Sequence, residues 1–283
     1  MNQTRLFAHN LLAGDLVSRR VSRQSEDRAQ RADVFWGADS PRRTSRQLRT
    51  GPVCLTLALL TFCSDVPCAA AVRLVTFASG QNRWRAYLAV PDGVGPFPAV
   101  IYLHGGRGQA IGGDPKSSAA ALAKSGFLGF APIRDRDPGL TGNIQSVAAA
   151  LDYVKGLKQA APSKIGLVGF SRGGLLAFMA ATRRHDLKAI VLMAPAEGRG
   201  VLRRFLADAG NVQAPALLMV ARNDTRQADH VSICRQIHAA LQKAGKQSRL
   251  QIYPAYGQDG HRLFFEVRGT YWHDVVKHLK AHL

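Results

Sequence analysis

The chain has 283 residues, 46% hydrophobic and 20% charged, with 38 Lys and Arg against 19 Asp and Glu and a formal charge of +19. That much apolar content excludes a disordered chain, which could not bury enough surface to offset its ordering entropy, and four cysteines are too few for a disulfide-stapled scaffold. The basic excess raises nucleic acid or an anionic surface as a partner.

Where the charge sits answers that question. Residues 1–50 hold ten Arg, no Lys and no sustained apolar period, and read as a disordered extension or as a start assigned too far upstream. The stretch 51–71, GPVCLTLALLTFCSDVPCAAA, follows a basic lead of Arg42, Arg43, Arg46 and Arg49. Its apolar core runs from Val53 to Cys63, and it ends on Ala69-Ala70-Ala71, the pattern of a secretory signal with an A-x-A cleavage site. Ser64 and Asp65 interrupt the run well short of the roughly 20 apolar residues that span a bilayer. An exported protein, periplasmic or secreted, with no stable membrane span after signal removal is the expectation; a short buried helix is the alternative.

Cleavage after Ala71 removes Cys54, Cys63 and Cys68 and leaves Cys234, so neither an intrachain disulfide nor a cysteine metal cluster is expected in the mature domain. The 212 residues that remain carry 28 basic and 13 acidic side chains, scattered without a long run. No zinc-finger spacing, RNA-binding aromatic signature or basic recognition helix is present, and nucleic acid is not expected as a partner. Oligomeric state is not legible here.

From Val72 to Leu283 the pattern is that of a single α/β domain. Val72 to Phe77 and Trp84 to Val90 alternate as an antiparallel edge pair. Short apolar runs follow at Ala99 to Leu103, Phe127 to Ala131, Ile165 to Phe170, Ala189 to Met193, Ala216 to Val220 and Leu250 to Tyr253, as in a mostly parallel sheet covered by helices on both faces. Helix stripes lie between and after them: Ile144, Val147, Leu151 and Val154; Ile233, Ile237 and Leu241; and Trp272, Val275, Val276 and Leu279, with Thr270 as the expected N-cap. Glu197 to Gln213 reads as a small lid or a surface helix.

Chemistry concentrates in KIGLVGFSRGGLLAFMAA, Lys164 to Ala181. A strand runs into Gly169-Phe170-Ser171-Arg172-Gly173, followed by Gly174 and a small-residue helix. This G-x-S-x-G turn needs glycine at Gly169 and Gly173 because a Cβ there would strike its neighbours, and it leaves the Ser171 hydroxyl exposed. A serine needs a base. Among nine histidines, His261 stands in the glycine-rich loop between the last strand and last helix, at the sheet edge where the turn opens; His230 and His238 fall within a helix pattern. The base needs a carboxylate, and Asp224 lies four residues past Val220 at the same edge. Asp259 is the rival, but its i−2 relation to His261 makes an inward bond awkward, while Asp229 and Glu197 read as helix-start and loop charges. His104-Gly105-Gly106-Arg107 follows an earlier strand and offers the amide of Gly106 or Arg107 as oxyanion partner to that of Arg172. His104 itself is expected to hold this loop rather than carry a proton. Arg107, Arg134, Arg136 and Arg172 near this edge raise the expectation of an acidic group on the substrate, with Arg107 and Arg134 as binding residues; the alternative is that these arginines are solvated or paired with Asp135 and Asp137.

Over Val72 to Leu283, through HGG at 104–106, GFSRGG at 169–174, Asp224 and His261, the chain resembles the α/β-hydrolase superfamily and its dienelactone-hydrolase-like branch. The order Ser171, Asp224, His261 is the order of that superfamily. Dienelactone hydrolases use a cysteine nucleophile where this chain has Ser171, which points to a general serine esterase acting on a small-molecule ester or lactone. The resemblance implies no metal and no organic cofactor, and no metal-ligand spacing is apparent. A serine peptidase of the prolyl-oligopeptidase type and a non-catalytic binding protein of the same fold are the alternatives. If the signal is cut as read, N-terminal sequencing of the released protein is expected to begin at Val72; a released form that retains residues 51–71 overturns the signal.

Overall fold

The computed structural model describes residues 71–106, 113–134 and 139–283. The extension, the signal segment, Arg107 and Arg136 lie outside them. Eight strands form one sheet: β1 (Val72–Ser79), β2 (Asn82–Ala89), β3 (Phe97–Leu103), β4 (Leu128–Ile133), β5 (Ala160–Phe170), β6 (Leu187–Met193), β7 (Ala216–Ala221) and β8 (Ser248–Tyr253). Their spatial order is β1-β2-β4-β3-β5-β6-β7-β8. The edge pair is antiparallel, in register from Val72 opposite Ala89 to Ser79 opposite Asn82, with Gly80 taking a positive φ in the turn. β2 also meets β4 antiparallel, and every pairing from β4 to β8 is parallel.

The apolar runs are the parallel strands, most of them one or two residues longer than the sequence pattern marks. Every residue of β4 and of β7 is buried, as expected for strands enclosed on both faces. The helices are α1 (Pro115–Lys124), α2 (Gly139–Lys155), α3 (Arg172–Ala181), α4 (Val201–Ala207), α5 (His230–Lys243) and α6 (Gly269–His282). α1 packs on β4 and β2, α3 on β5 and β6, α5 on β7 and β8, and α6 on β6. Val147, Leu151 and Val154 bury the α2 stripe, Ile233, Ile237 and Leu241 that of α5, and Val275 and Leu279 that of α6. Leaving β3, the chain steps one way to β4 and then crosses back to β5. This reversal opens a crevice at the carboxyl ends of β3 and β5, the usual ligand position in such sheets.

Two readings are revised or resolved. Thr270 is not the N-cap of α6: that helix starts at Gly269, and extended Arg268 precedes it, its carbonyl accepting from Tyr271 N and Trp272 N while its guanidinium pairs with Glu266 at 2.8 Å. The Glu197 to Gln213 stretch holds α4, anchored by buried Leu202 and Phe205, and a 3₁₀ turn, Ala209–Asn211. Among the described residues Cys234 is the free cysteine, buried, and no helix is long and apolar enough to cross a membrane.

At the end of the sheet's cover, His278 of α6 donates from Nε2 to the carbonyl of Pro215 at 3.2 Å. Burial, reinforced by nearby His282, pushes its pKa down to about 4. Between that value and the unfolded value of about 6.5 the unfolded chain binds the extra proton, so stability rises with pH through this window and is lost as pH falls through it. Discounted for partial exposure, the loss is expected to be on the order of 2 kcal/mol. Urea midpoints measured from pH 7 to pH 4 should fall less steeply for His278→Gln than for the parent chain.

Candidate active site

The site begins where β5 ends. Ser171 follows Phe170 with φ 52° and ψ −116°, a left-handed conformation that costs a non-glycine residue about 1–3 kcal/mol, and α3 starts at the next residue. Neighbouring backbone supplies the restraint: Ser171 N donates to the Met193 carbonyl at 2.9 Å, and the Ser171 carbonyl accepts from Ala196 N at 2.9 Å and from Leu175 N at 3.1 Å. The flanking glycines are sterically required. A Cβ on Gly173 would lie 1.8 Å from the Leu103 carbonyl oxygen, and one on Gly169 would lie 2.2 Å from that of Gly173. The turn is therefore pressed against the end of β3, and the Arg172 amide falls in the first turn of a helix, where the dipole favours negative charge.

The loop after β3 approaches from the other side. Buried His104 accepts at Nε2 from Arg134 N at 2.9 Å and donates from Nδ1 to the Gly105 carbonyl at 2.8 Å, so it holds the loop as expected. A Cβ on Gly106 would meet Arg172 Nε at 3.1 Å; the Arg172 side chain thus lies across Gly106 and joins the two segments. The guanidinium nitrogens of Arg134 are buried, close enough to Tyr102 to act on its hydroxyl.

Asp224 and His261 meet beyond the ends of β7 and β8. His261 Nδ1 lies 2.8 Å from Asp224 Oδ2, and both residues are buried. Asp259 does not compete: its carboxylate accepts from the His261 backbone N at 3.2 Å and caps the 3₁₀ segment Gly260–Phe264. Asp229 caps α5 through Ser232 N, and Glu197 accepts from Gly200 N, the helix-start and loop roles expected of them. The His261 ring packs on Phe170, the residue before Ser171, with centroids 4.7 Å apart, and edge-on to Phe265 at 6.2 Å. The imidazole is thereby seated beside the serine turn. Burial opposes the charge of Asp224, yet the His230 and His261 imidazoles outweigh it and hold the carboxyl below its ordinary range.

His230 is the residue that the sequence pattern hid. It reads as one position in an amphipathic helix, but it opens α5, and its Nδ1 stands 2.9 Å from Asp224 Oδ1, with its ring against that of His261 at 4.4 Å and 33°. The available signal was the Asp229 cap, which starts the helix just where its first side chain turns back to Asp224. The expectation of no metal-ligand cluster needs revising to this extent: Asp224, His230 and His261 bring three ligand atoms within 4.8 Å. A cation at about 2.0–2.1 Å from both rings would have to lie in both ring planes. The two rings contact each other at 4.4 Å with 33° between their planes, and each Nδ1 already faces one oxygen of Asp224, at 2.9 and 2.8 Å, so the group fits a shared carboxylate better than a metal.

The mostly parallel eight-stranded sheet with its flanking helices is the α/β-hydrolase fold. Residues 134–261, a span containing Ser171, Asp224 and His261, match the model of the dienelactone hydrolase family. A Methylorubrum extorquens protein named a carboxymethylenebutenolidase is 26% identical over 213 residues, 66% of this chain and 70% of its own. Acyl-coenzyme A thioesterase 3 of Mus musculus is 32% identical over 119 residues, 40% of this chain and 26% of its own. The solved dienelactone hydrolase of Anabaena variabilis superposes with a TM-score of 0.59 at 20% identity, covering 76% of this chain and 100% of its own. Carboxyl esterase 2 of Tuber melanosporum does so with a TM-score of 0.62 at 18% identity, covering 77% and 89%.

Because the Gly173 Cα faces a main-chain carbonyl, Gly173→Ala can be accommodated only by separating α3 from β3. A loss of at least about 4 kcal/mol, among the largest single-residue effects, is expected. Thermal melting checks it; a melting temperature within a few degrees of the parent's would contradict the close packing of the turn.

Proposed function

We propose that the chain is a serine hydrolase that cleaves carboxylic esters or lactones through an acyl-enzyme. The observation that carries this reading is the strained turn at Ser171 beside an imidazole whose Nδ1 is bonded to a buried carboxylate. Ser171 Oγ attacks the ester carbonyl while His261 Nε2 takes its proton. Asp224 fixes the Nδ1–H tautomer and stabilises the imidazolium. The amides of Arg172 and of Gly106 or Arg107 hold the oxyanion, and His261 then protonates the leaving alcohol. Water enters by the same route in reverse and releases the acid. The names of the family and of the relatives, which include hydrolases of esters and thioesters, support this class of reaction.

The Arg172 side chain across Gly106 places positive charge beside the proposed oxyanion amides. It supports a substrate with an acidic group, and matched anionic and neutral esters test this: kcat/KM should be higher for the anion and fall with salt. Equal values overturn that part alone.

A fluorophosphonate probe tests the reaction itself. The parent chain is expected to be labelled at Ser171 and Ser171→Ala to be silent. Asp224→Asn should lower kcat by about 10⁴-fold, because it presents the wrong tautomer to the serine. A folded parent chain that neither labels nor hydrolyses esters overturns the proposal.

A further inference from the structure

The proposed triad uses one oxygen of Asp224, and the other faces a second imidazole. His261 Nδ1 is hydrogen-bonded to Oδ2 at 2.8 Å, and His230 Nδ1 sits 2.9 Å from Oδ1, within ion-pair reach but too oblique for a regular hydrogen bond. The backbone N–H of His230 donates to the Asp224 carbonyl at 3.0 Å, so one residue grips both ends of the aspartate. All three side chains are buried. Resting on the hydrolase reading above, we propose that His230 is a positioning residue: its Nδ1–H locks the Asp224 carboxylate so that Oδ2 stays aimed at His261, and its ring fixes the plane of the His261 imidazole.

A packing role alone does not account for the arrangement. Ring contact at 4.4 Å could be met by any aromatic side chain, and Phe170 and Phe265 already pack against His261. A polar nitrogen 2.9 Å from Oδ1 supplies what Phe cannot, namely a polar neighbour for the half of a buried carboxylate that His261 does not reach. Without it, rotation about the Cβ–Cγ bond of Asp224 would exchange the two oxygens and loosen the hold on the base. Two imidazoles on one carboxylate also interact electrostatically: a proton arriving on His261 during attack is felt at His230. The titratable groups around His230 are Asp224 from the loop after β7, His261 from the 3₁₀ segment, and Asp229 and Cys234 next to it on α5. Asp229 is engaged with Ser232 N, and burial pushes the Cys234 thiol above its usual range.

Fluorophosphonate inactivation of the full chain, followed from pH 5 to 9, compares the parent with His230→Phe, which keeps the ring, and His230→Asn, which keeps a donor near the Nδ1 position. At pH 7 the maximal inactivation rate of His230→Phe is expected to fall about 10- to 100-fold, the scale of an ångström-level misplacement, while the half-saturating probe concentration stays unchanged. The acid limb of its profile should move to higher pH, because Asp224 then gives its charge to His261 alone. His230→Asn should recover most of the rate. If His230→Phe labels at the parent rate with the parent profile, or if His230→Asn is as slow as His230→Phe, the proposal is overturned. A parent chain that does not label overturns the hydrolase reading and this inference with it. Nitrogen-15 NMR of the unsubstituted protein gives a reading independent of variant folding: the neutral His230 ring is expected to carry its proton on Nδ1, and a proton on Nε2 would overturn the role.

Discussion

The site depends on one constraint, the pressing of the α3 start against the end of β3. With less than van der Waals room for any Cβ at Gly173, the two main chains are as close as backbone allows, and Ser171 must turn through a positive φ to connect them. The cost of that conformation, about 1–3 kcal/mol, is small beside the surrounding buried core, and neighbouring backbone hydrogen bonds to Met193 and Ala196 keep it from relaxing. Because β5 lies inside the sheet, with β3 and β6 paired on either side, relaxation would mean breaking the sheet. Placement of the serine is thus a property of the fold rather than of any side-chain contact.

The carboxylate is held on a different principle. Asp224 lies on a loop, fully buried, where an unpaired charge would cost several kcal/mol. Two imidazoles offset that cost, one from the segment after β8 and one from the start of α5. Three separate pieces of chain therefore meet at one charged group, and the depressed ionisation of Asp224 follows from their meeting.

Features determined by local chemistry were legible in the sequence. The strand runs and the helix stripes follow from burial on two faces or on one, and the G-x-S-x-G turn carries its own steric reason in its glycines. Ser171, Asp224 and His261 could be placed at one edge of the sheet because each follows a strand in a parallel array. His230 could not be found in that way: an imidazole at the head of an amphipathic helix has the same local pattern whether it faces solvent, core or carboxylate, and only the docking of α5 beside β7 distinguishes these. Thr270 failed as a cap for a related reason, since the pairing of Arg268 with Glu266 accompanies a helix start two residues earlier than the side-chain preference indicates.

These two modes of support divide the site into parts with different tolerance. Ser171 is fixed by backbone, so a change in its side chain leaves the turn intact, whereas a change in a flanking glycine removes the turn altogether. His261 is fixed by side chains: Asp224 bonded to its Nδ1, Phe170 and His230 packed against the ring in tilted contacts, and Phe265 meeting it edge-on. Removing one of these is expected to leave a folded chain with a less precisely held imidazole. Variation in the reactivity of such a site is accordingly easier to reach through the residues packed around the histidine than through those that build the serine turn.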